Sequence, residues 1–185
     1  MIDDVKQEAK DLMEKAIESL KRDFNRVRTG RASASILDAV RADYYGQPTA
    51  LNQMASVSVP EARLIMIQPW DPKSCGEIEK AILKSDLGLT PQNDGKVVRI
   101  SIPPLTEERR KDLVKVVRKM GEETKVAVRN ARREANDMLK EYKNEGDISE
   151  DDMRRGQTEV QKLTDDYTAK VDGLLAEKEK EILEF

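Results

Sequence analysis

Apolar residues recur through the first turns of the chain at steps of three and four: Val5, Ala9, Leu12, Ala16, Leu20, Phe24 and Val27. Such spacing returns to one side of a helix at every turn, so it predicts a helix over about Asp3–Arg28 with a single buried stripe. Thr29-Gly30 is its expected stop, because glycine readily takes the left-handed conformation found past helix ends. A second stripe, Leu113, Val117, Met120, Thr124, Ala127, Ala131, Ala135, Met138 and Tyr142, predicts a helix from Thr106 to about Glu145. The Thr106 hydroxyl can cap free amides, Glu107 and Glu108 suit the positive end of the dipole, and Pro103 and Pro104 bar helix upstream. At 1.5 Å per residue this helix would be about 60 Å long, which implies a rod. A third helix opens at Ser149 and Asp152, spaced nearly as a capping box, with Ile148 and Met153 at the staple positions. Its stripe is Met153, Val160, Leu163, Tyr167, Val171, Leu174 and Ile182, interrupted by Gly156 and Gly173, each costing about 1 kcal/mol against alanine. Three helices with one apolar stripe each can bury those stripes together as an elongated three-helix bundle.

The pattern changes in the middle. All seven prolines lie between Pro48 and Pro104, and charged residues number 16 of the 74 from Arg31 to Pro104. Short β-branched or apolar runs at 36–40, 57–59, 64–67 and 97–102 predict strands; in the last, Val98, Ile100 and Ile102 alternate with Arg99 and Ser101. Ser74-Cys75-Gly76-Glu77 has capping-box spacing and predicts a short helix through Ile78, Ala81 and Ile82, while Tyr45-Gly46-Gln47-Pro48 predicts a turn. The expected fold is therefore α+β: residues 1–29 and 106–185 form the discontinuous bundle, and 30–105 form an inserted small β/α/β domain. Two short crossings, at Thr29, Gly30 and Arg31 and at Pro103, Pro104 and Leu105, favour bending about one axis and are read as a hinge.

Composition narrows the function. Charged residues make up 37% of the 185 and aromatics only 4%, which suits long solvated helices once periodicity has excluded disorder. No run of about 18 apolar residues exists to span a membrane, and the first residues lack a secretory pattern. Cys75 is the single cysteine, so no internal disulfide forms, a cytoplasmic location is expected, and the thiol reads as a small core residue. The chain has no histidine, which removes the commonest general base and zinc ligand. Acid pairs such as Asp3-Asp4, Asp151-Asp152 and Asp165-Asp166 point about 100° apart on a helix and do not converge on a metal. Neither an enzyme nor a cofactor is expected.

The net charge of −3 hides a segregation. Ten basic and three acidic residues occupy 109–133, whereas six basic and twelve acidic residues occupy 147–185. Lys111, Arg118, Lys125 and Arg132 are seven apart and Arg129 lies three before Arg132, so they share a helix face away from the apolar sector. Arg129-Asn130-Ala131-Arg132-Arg133 is the densest cluster. Arginine's planar fork can grip phosphate twice and stack on bases. The bland alternative is a solubilising surface with local pairs such as Arg132/Asn136 and Arg133/Asp137. The lack of acids between Lys125 and Arg133 favours RNA, and the scarcity of aromatics favours structured RNA docked by phosphate and shape over a base-stacked single strand. Arg28 and Arg31 add charge near the first crossing.

Several segments resemble the ribosome recycling factor family: Arg28-Thr29-Gly30-Arg31-Ala32, Ser85-Asp86-Leu87-Gly88-Leu89, and the run from Pro103 through Lys111. The stretches from Val126 to Asp137, Ile148 to Asp152 and Val160 to Asp165 match as well, in order and over the whole chain. The resemblance implies an L-shaped molecule, a three-helix bundle carrying a smaller β/α/β domain on a hinge. It implies binding to the post-termination ribosome through large-subunit RNA, and subunit splitting with elongation factor G, which hydrolyses the GTP. Carried over by motif, Arg132 is the expected principal RNA contact, with Arg129 and Arg133 beside it, Lys125, Arg118 and Lys111 along the stripe, and Arg28 and Arg31 weaker. A monomer is expected. The rival readings are a coiled-coil adaptor that binds protein, then a tRNA-binding arm, with a hydrolase last for want of a site. Tyr44, Tyr45 and Trp70 read equally as partner contacts or as core.

Overall fold

A computed structural model describes residues 1–27 and 29–184. In chain order the elements are α1 (Ile2–Arg26), a 3₁₀ turn (Ala34–Leu37), β1 (Arg41–Tyr44), β2 (Gln47–Ala50), a single helical turn α2 (Leu51–Met54), β3 (Ala55–Glu61) and β4 (Leu64–Pro69). A second 3₁₀ turn (Pro72–Ser74) then leads into α3 (Cys75–Lys84), β5 (Pro91–Asn93), β6 (Val98–Ser101), α4 (Glu107–Glu145) and α5 (Glu150–Glu184). The chain divides into two compact units, Met1–Thr29 with Glu107–Glu184, and Gly30–Thr106.

The first unit is a bundle of α1, α4 and α5. Lys6 pairs with Glu159 at 3.6 Å and the Tyr167 hydroxyl donates to Glu14 at 2.6 Å, so both numbers rise together and α1 runs parallel to α5. The turn after α4 reverses the chain: Gly146, at φ 83°, donates its N–H to Lys143 O and Asp147 donates to Tyr142 O. These are the two bonds of a Schellman motif, and they place α5 antiparallel to α4. At the start of α5 the Ser149 hydroxyl accepts from Asp152 N at 3.0 Å, and Ile148 and Met153 pack on the same cluster as Leu139 and Val160. The expected cap and staple are therefore in place.

The buried stripes differ in part from those expected. In α1 the core residues are Val5, Ala9, Met13, Ile17, Leu20 and Phe24, and Leu12 is exposed. In α4, Gly121, Val128 and Leu139 take places expected of Met120, Ala127 and Met138. Each helix packs against two others, which widens the apolar sector and lets the stripe drift with the 3.6-residue turn. The end of α1 is also corrected: Val27 closes it with extended backbone, and Gly30, at φ 80°, lies beyond the cap.

In the second unit β3, β4, β6 and β5 form a four-stranded antiparallel sheet in that order, and β1 and β2 form a separate hairpin. Ile65 faces Ile100 and Ile67 faces Val98 across β4 and β6, and all four are fully buried. Leu37, Met54, Ile78 and Ile82 complete the core, together with Cys75, whose thiol pKa is raised by burial. The strand expected at 36–40 is instead a 3₁₀ turn, where the Ser33 hydroxyl accepts from Ser35 N and the chain coils so that Leu37 and Val40 reach the core. Ser74 makes no side-chain cap to α3; Asp71 caps the preceding 3₁₀ turn by accepting from Lys73 N at 3.1 Å. Tyr45 and Gly46 alone make the predicted turn, since Gln47 and Pro48 already belong to β2.

Candidate RNA-binding face

Helix α4 carries the basic residues, and the antiparallel register against α5 decides which of them remain available. Arg118 Nε lies 2.5 Å from Glu179 Oε1, and Lys125 Nζ lies 2.6 Å from Asp172 Oδ1 and 3.7 Å from Glu122. Seven residues forward on α4 matches seven backward on α5. One more step would join Arg132 to Asp165, and there Gln161 intervenes: its Oε1 accepts from Arg132 Nη1 at 3.2 Å and its amide donates to Asp165 at 2.9 Å.

The seven-spaced stripe therefore runs along the seam between two helices and is partly paired, whereas the spacing alone suggested a stripe free to face solvent or a partner. The Lys125 side chain is only 16% exposed, and hydrogen bonding to Asp172 raises its pKa. Arg118 is held protonated by its hydrogen bond to Glu179. Lys111 is exposed and pairs with Glu107 at 3.3 Å. Because α5 presents Asp165, Asp172 and Glu179 at intervals of seven, the signal for this seam was in the sequence. It becomes visible only when the two helices are set against each other.

Arg129 and Arg133 are different. Both are exposed, and among the described residues neither has an ion pair or a side-chain hydrogen bond. They are four apart, so their guanidinium groups share a face one turn apart, and Lys140, seven beyond Arg133, extends it. Arg132, half-buried beside them, is tied among the described residues only to the neutral Gln161 amide. The local pair suggested between Arg133 and Asp137 does not form. Three arginines thus gather within five residues, two with their full donor sets open, a donor arrangement suited to phosphate oxygens. Arg31 is exposed and belongs to the second unit. Arg28 lies outside the described residues.

A bundle whose seam is ion-paired and whose α4 arginines face outward, with an antiparallel sheet unit inserted between its first two helices, defines a class of two-unit α+β proteins. Residues 20–183 match the model of one family, ribosome recycling factor, and the chain belongs to that family. It is 60% identical over 185 residues to the ribosome-recycling factor of Desulfatibacillum aliphaticivorans and 56% identical over 184 residues to that of Geobacillus kaustophilus, with 100% of every chain covered. A solved structure described as the solution structure of the ribosome recycling factor covers 100% of this chain and 98% of its own, at 41% identity and a TM-score of 0.74. A second, at 46% identity, 99% coverage of both chains and a TM-score of 0.63, models the T. thermophilus factor with E. coli elongation factor G on the E. coli post-termination complex.

Proposed function

We propose that this protein recycles ribosomes: it binds the post-termination ribosome and, with elongation factor G, separates the subunits and frees the mRNA. The family match over residues 20–183 carries this reading, and the arginine face lies inside the matched region. The chain performs no bond chemistry of its own; GTP hydrolysis belongs to the partner. The absence of histidine from the sequence and the lone buried Cys75 support a mechanical role. Its place of action is the cytoplasm, where ribosomes work, and among the described residues no helix is long and apolar enough to cross a membrane.

In this mechanism the bundle anchors on large-subunit RNA through Arg129, Arg132 and Arg133, with Lys125, Arg118 and Lys111 contributing less because their charge is already met by carboxylates. The small unit moves about the two crossings, Thr29–Arg31 and Pro103–Leu105. Two features support a pivot at the first crossing. Thr29 is buried and its hydroxyl donates to Glu181 of α5 at 3.3 Å, and Gly30 follows at once with a left-handed φ of 80°.

Light scattering of post-termination ribosomes mixed with this protein, elongation factor G and GTP tests the reading. A drop that requires both proteins is expected, and a disulfide locking the two units together should abolish it while sparing binding. No drop, where a matched factor from the same source succeeds, would bring the protein-binding adaptor forward.

A further inference from the structure

Of the four basic residues that stand seven apart on α4, three meet acids. Lys111 pairs with Glu107, Arg118 with Glu179, and Lys125 with Asp172 and Glu122. The register that sets Arg118 on Glu179 and Lys125 on Asp172 brings Arg132 to Asp165, the next acid of the row. That pair does not form. Gln161 stands between the two, its Oε1 accepting from Arg132 Nη1 at 3.2 Å and its Nε2 donating to Asp165 Oδ1 at 2.9 Å.

The residue one turn along α4 is an amide as well. Asn136 holds the place, four beyond Arg132, from which an acid would pair with it, and its Oδ1 is buried with no donor among the described residues. A buried acceptor left without a donor is rare and costs stability, so it calls for a reason beyond packing. Arg132 thus has a neutral side chain on both routes, across the seam and along its own helix, by which the other stripe residues meet carboxylates.

The chemical difference is large. A carboxylate can take two guanidinium N–H groups in a fork and cancel the charge, whereas an amide oxygen takes a hydrogen bond and cancels none of it. Held by Gln161, Arg132 keeps its charge and its remaining donors, and its long side chain is fixed before a phosphate arrives. Gln161 is fixed in turn, because Asp165 holds its amide nitrogen and so turns its oxygen toward Arg132. We propose that Gln161 is a positioning residue for RNA binding: it screens Arg132 from Asp165 and presents the guanidinium, its charge unpaired, to a phosphate of the large subunit. The identity of that RNA rests on the recycling reading.

Variants of the full chain, titrated with large subunits at several salt concentrations, test it. Gln161→Glu keeps the size and turns the screen into a carboxylate partner, so binding should weaken about tenfold, the order of one charge-assisted hydrogen bond. The dependence of log affinity on log salt should fall by about 1. In an Arg132→Ala background the same change should alter affinity by less than about twofold, because its route of action is gone. An equal loss in that background would mean plain repulsion between the new charge and RNA, and would overturn the proposal. Gln161→Ala leaves Asp165 free to capture Arg132 and should also weaken binding, and adding Asp165→Asn should restore affinity to within about twofold of wild type. Failure of that rescue sinks the screening role. On the protein alone, phenylglyoxal, a dicarbonyl that adds to guanidine groups, should modify Arg132 faster than the ion-paired Arg118, and in Gln161→Glu no faster than Arg118. An Arg132 rate indifferent to residue 161 refutes the proposal. This last measurement needs no ribosome, so its failure is distinct from failure of the recycling reading.

Discussion

Gly156 of α5 lies against Leu139 of α4 so closely that a methyl group at position 156 would stand 3.0 Å from the leucine Cδ1 and 3.1 Å from its Cδ2. Leu139 is fully buried and Ile2 of α1 closes the third side at 3.4 Å, so the leucine has little room to yield. Glycine here permits the approach of two helices. Gly173, on the same helix, has nothing within 4 Å of such a methyl group. The two positions therefore predict opposite signs. Gly156→Ala gains about 1 kcal/mol of helix propensity but overpacks the core at a cost of about 1–3 kcal/mol, a net destabilisation of about 1 kcal/mol. Gly173→Ala meets no such opposition and should stabilise by about 1 kcal/mol. Urea denaturation of both variants decides it, and a stabilised Gly156→Ala would show that the Leu139 contact is slack.

The ion-paired seam makes a second prediction about where RNA affinity resides. Arg129, Arg132 and Arg133 should each cost about 1–3 kcal/mol of large-subunit affinity when changed to alanine, the usual order for a charge-assisted hydrogen bond. Loss of a phosphate contact also reduces the dependence of log affinity on log salt by about 1 per residue. Arg118→Ala should behave otherwise. Its partner Glu179 and the exposure of the pair confine the effect to a small loss of bundle stability, with affinity and salt slope almost unchanged. Binding titrations at several salt concentrations measure both quantities, and equal losses at 118 and 129 would refute the division.

That division also marks how far the sequence carried. The long helices were legible because periodicity, capping residues and Gly146 all agree locally, and the C-terminal stop of α4 falls at the expected Glu145. The heptad spacing of the basic residues was legible too. What escaped was the partner row on α5, since which acid faces Lys125 is fixed by the antiparallel register and not by any neighbour in the chain. In the small unit, β5 is Pro91-Gln92-Asn93 and carries no alternation to detect, and Tyr45 occupies a turn position that its residue type does not advertise. Ile36 and Leu37 read as strand by composition, yet Ser33 offers a hydroxyl that turns the backbone first.

The loop between β5 and β6 carries a prediction about acid. Asp94 accepts from Lys96 N at 2.9 Å and Val97 N at 2.8 Å through Oδ1, and from Arg99 Nη1 at 2.6 Å through Oδ2. The backbone bonds from Val97 and Lys96 are the main cause, and the Arg99 bond a further one, of a pKa lowered to about 2. In the unfolded chain the same carboxyl titrates at about 3.9. The folded state thus binds this proton more weakly, and the stability Asp94 contributes is full above about pH 4 and is lost as pH falls toward 2. Asp94→Ala should lower the melting temperature at pH 6 and narrow its gap from wild type as pH falls from 4 to 2. Carbon-detected NMR of the Asp94 carboxyl should give a midpoint near 2. A midpoint near 4, or a gap between the two proteins that stays constant with pH, would mean that the loop bonds do not hold the carboxylate in solution.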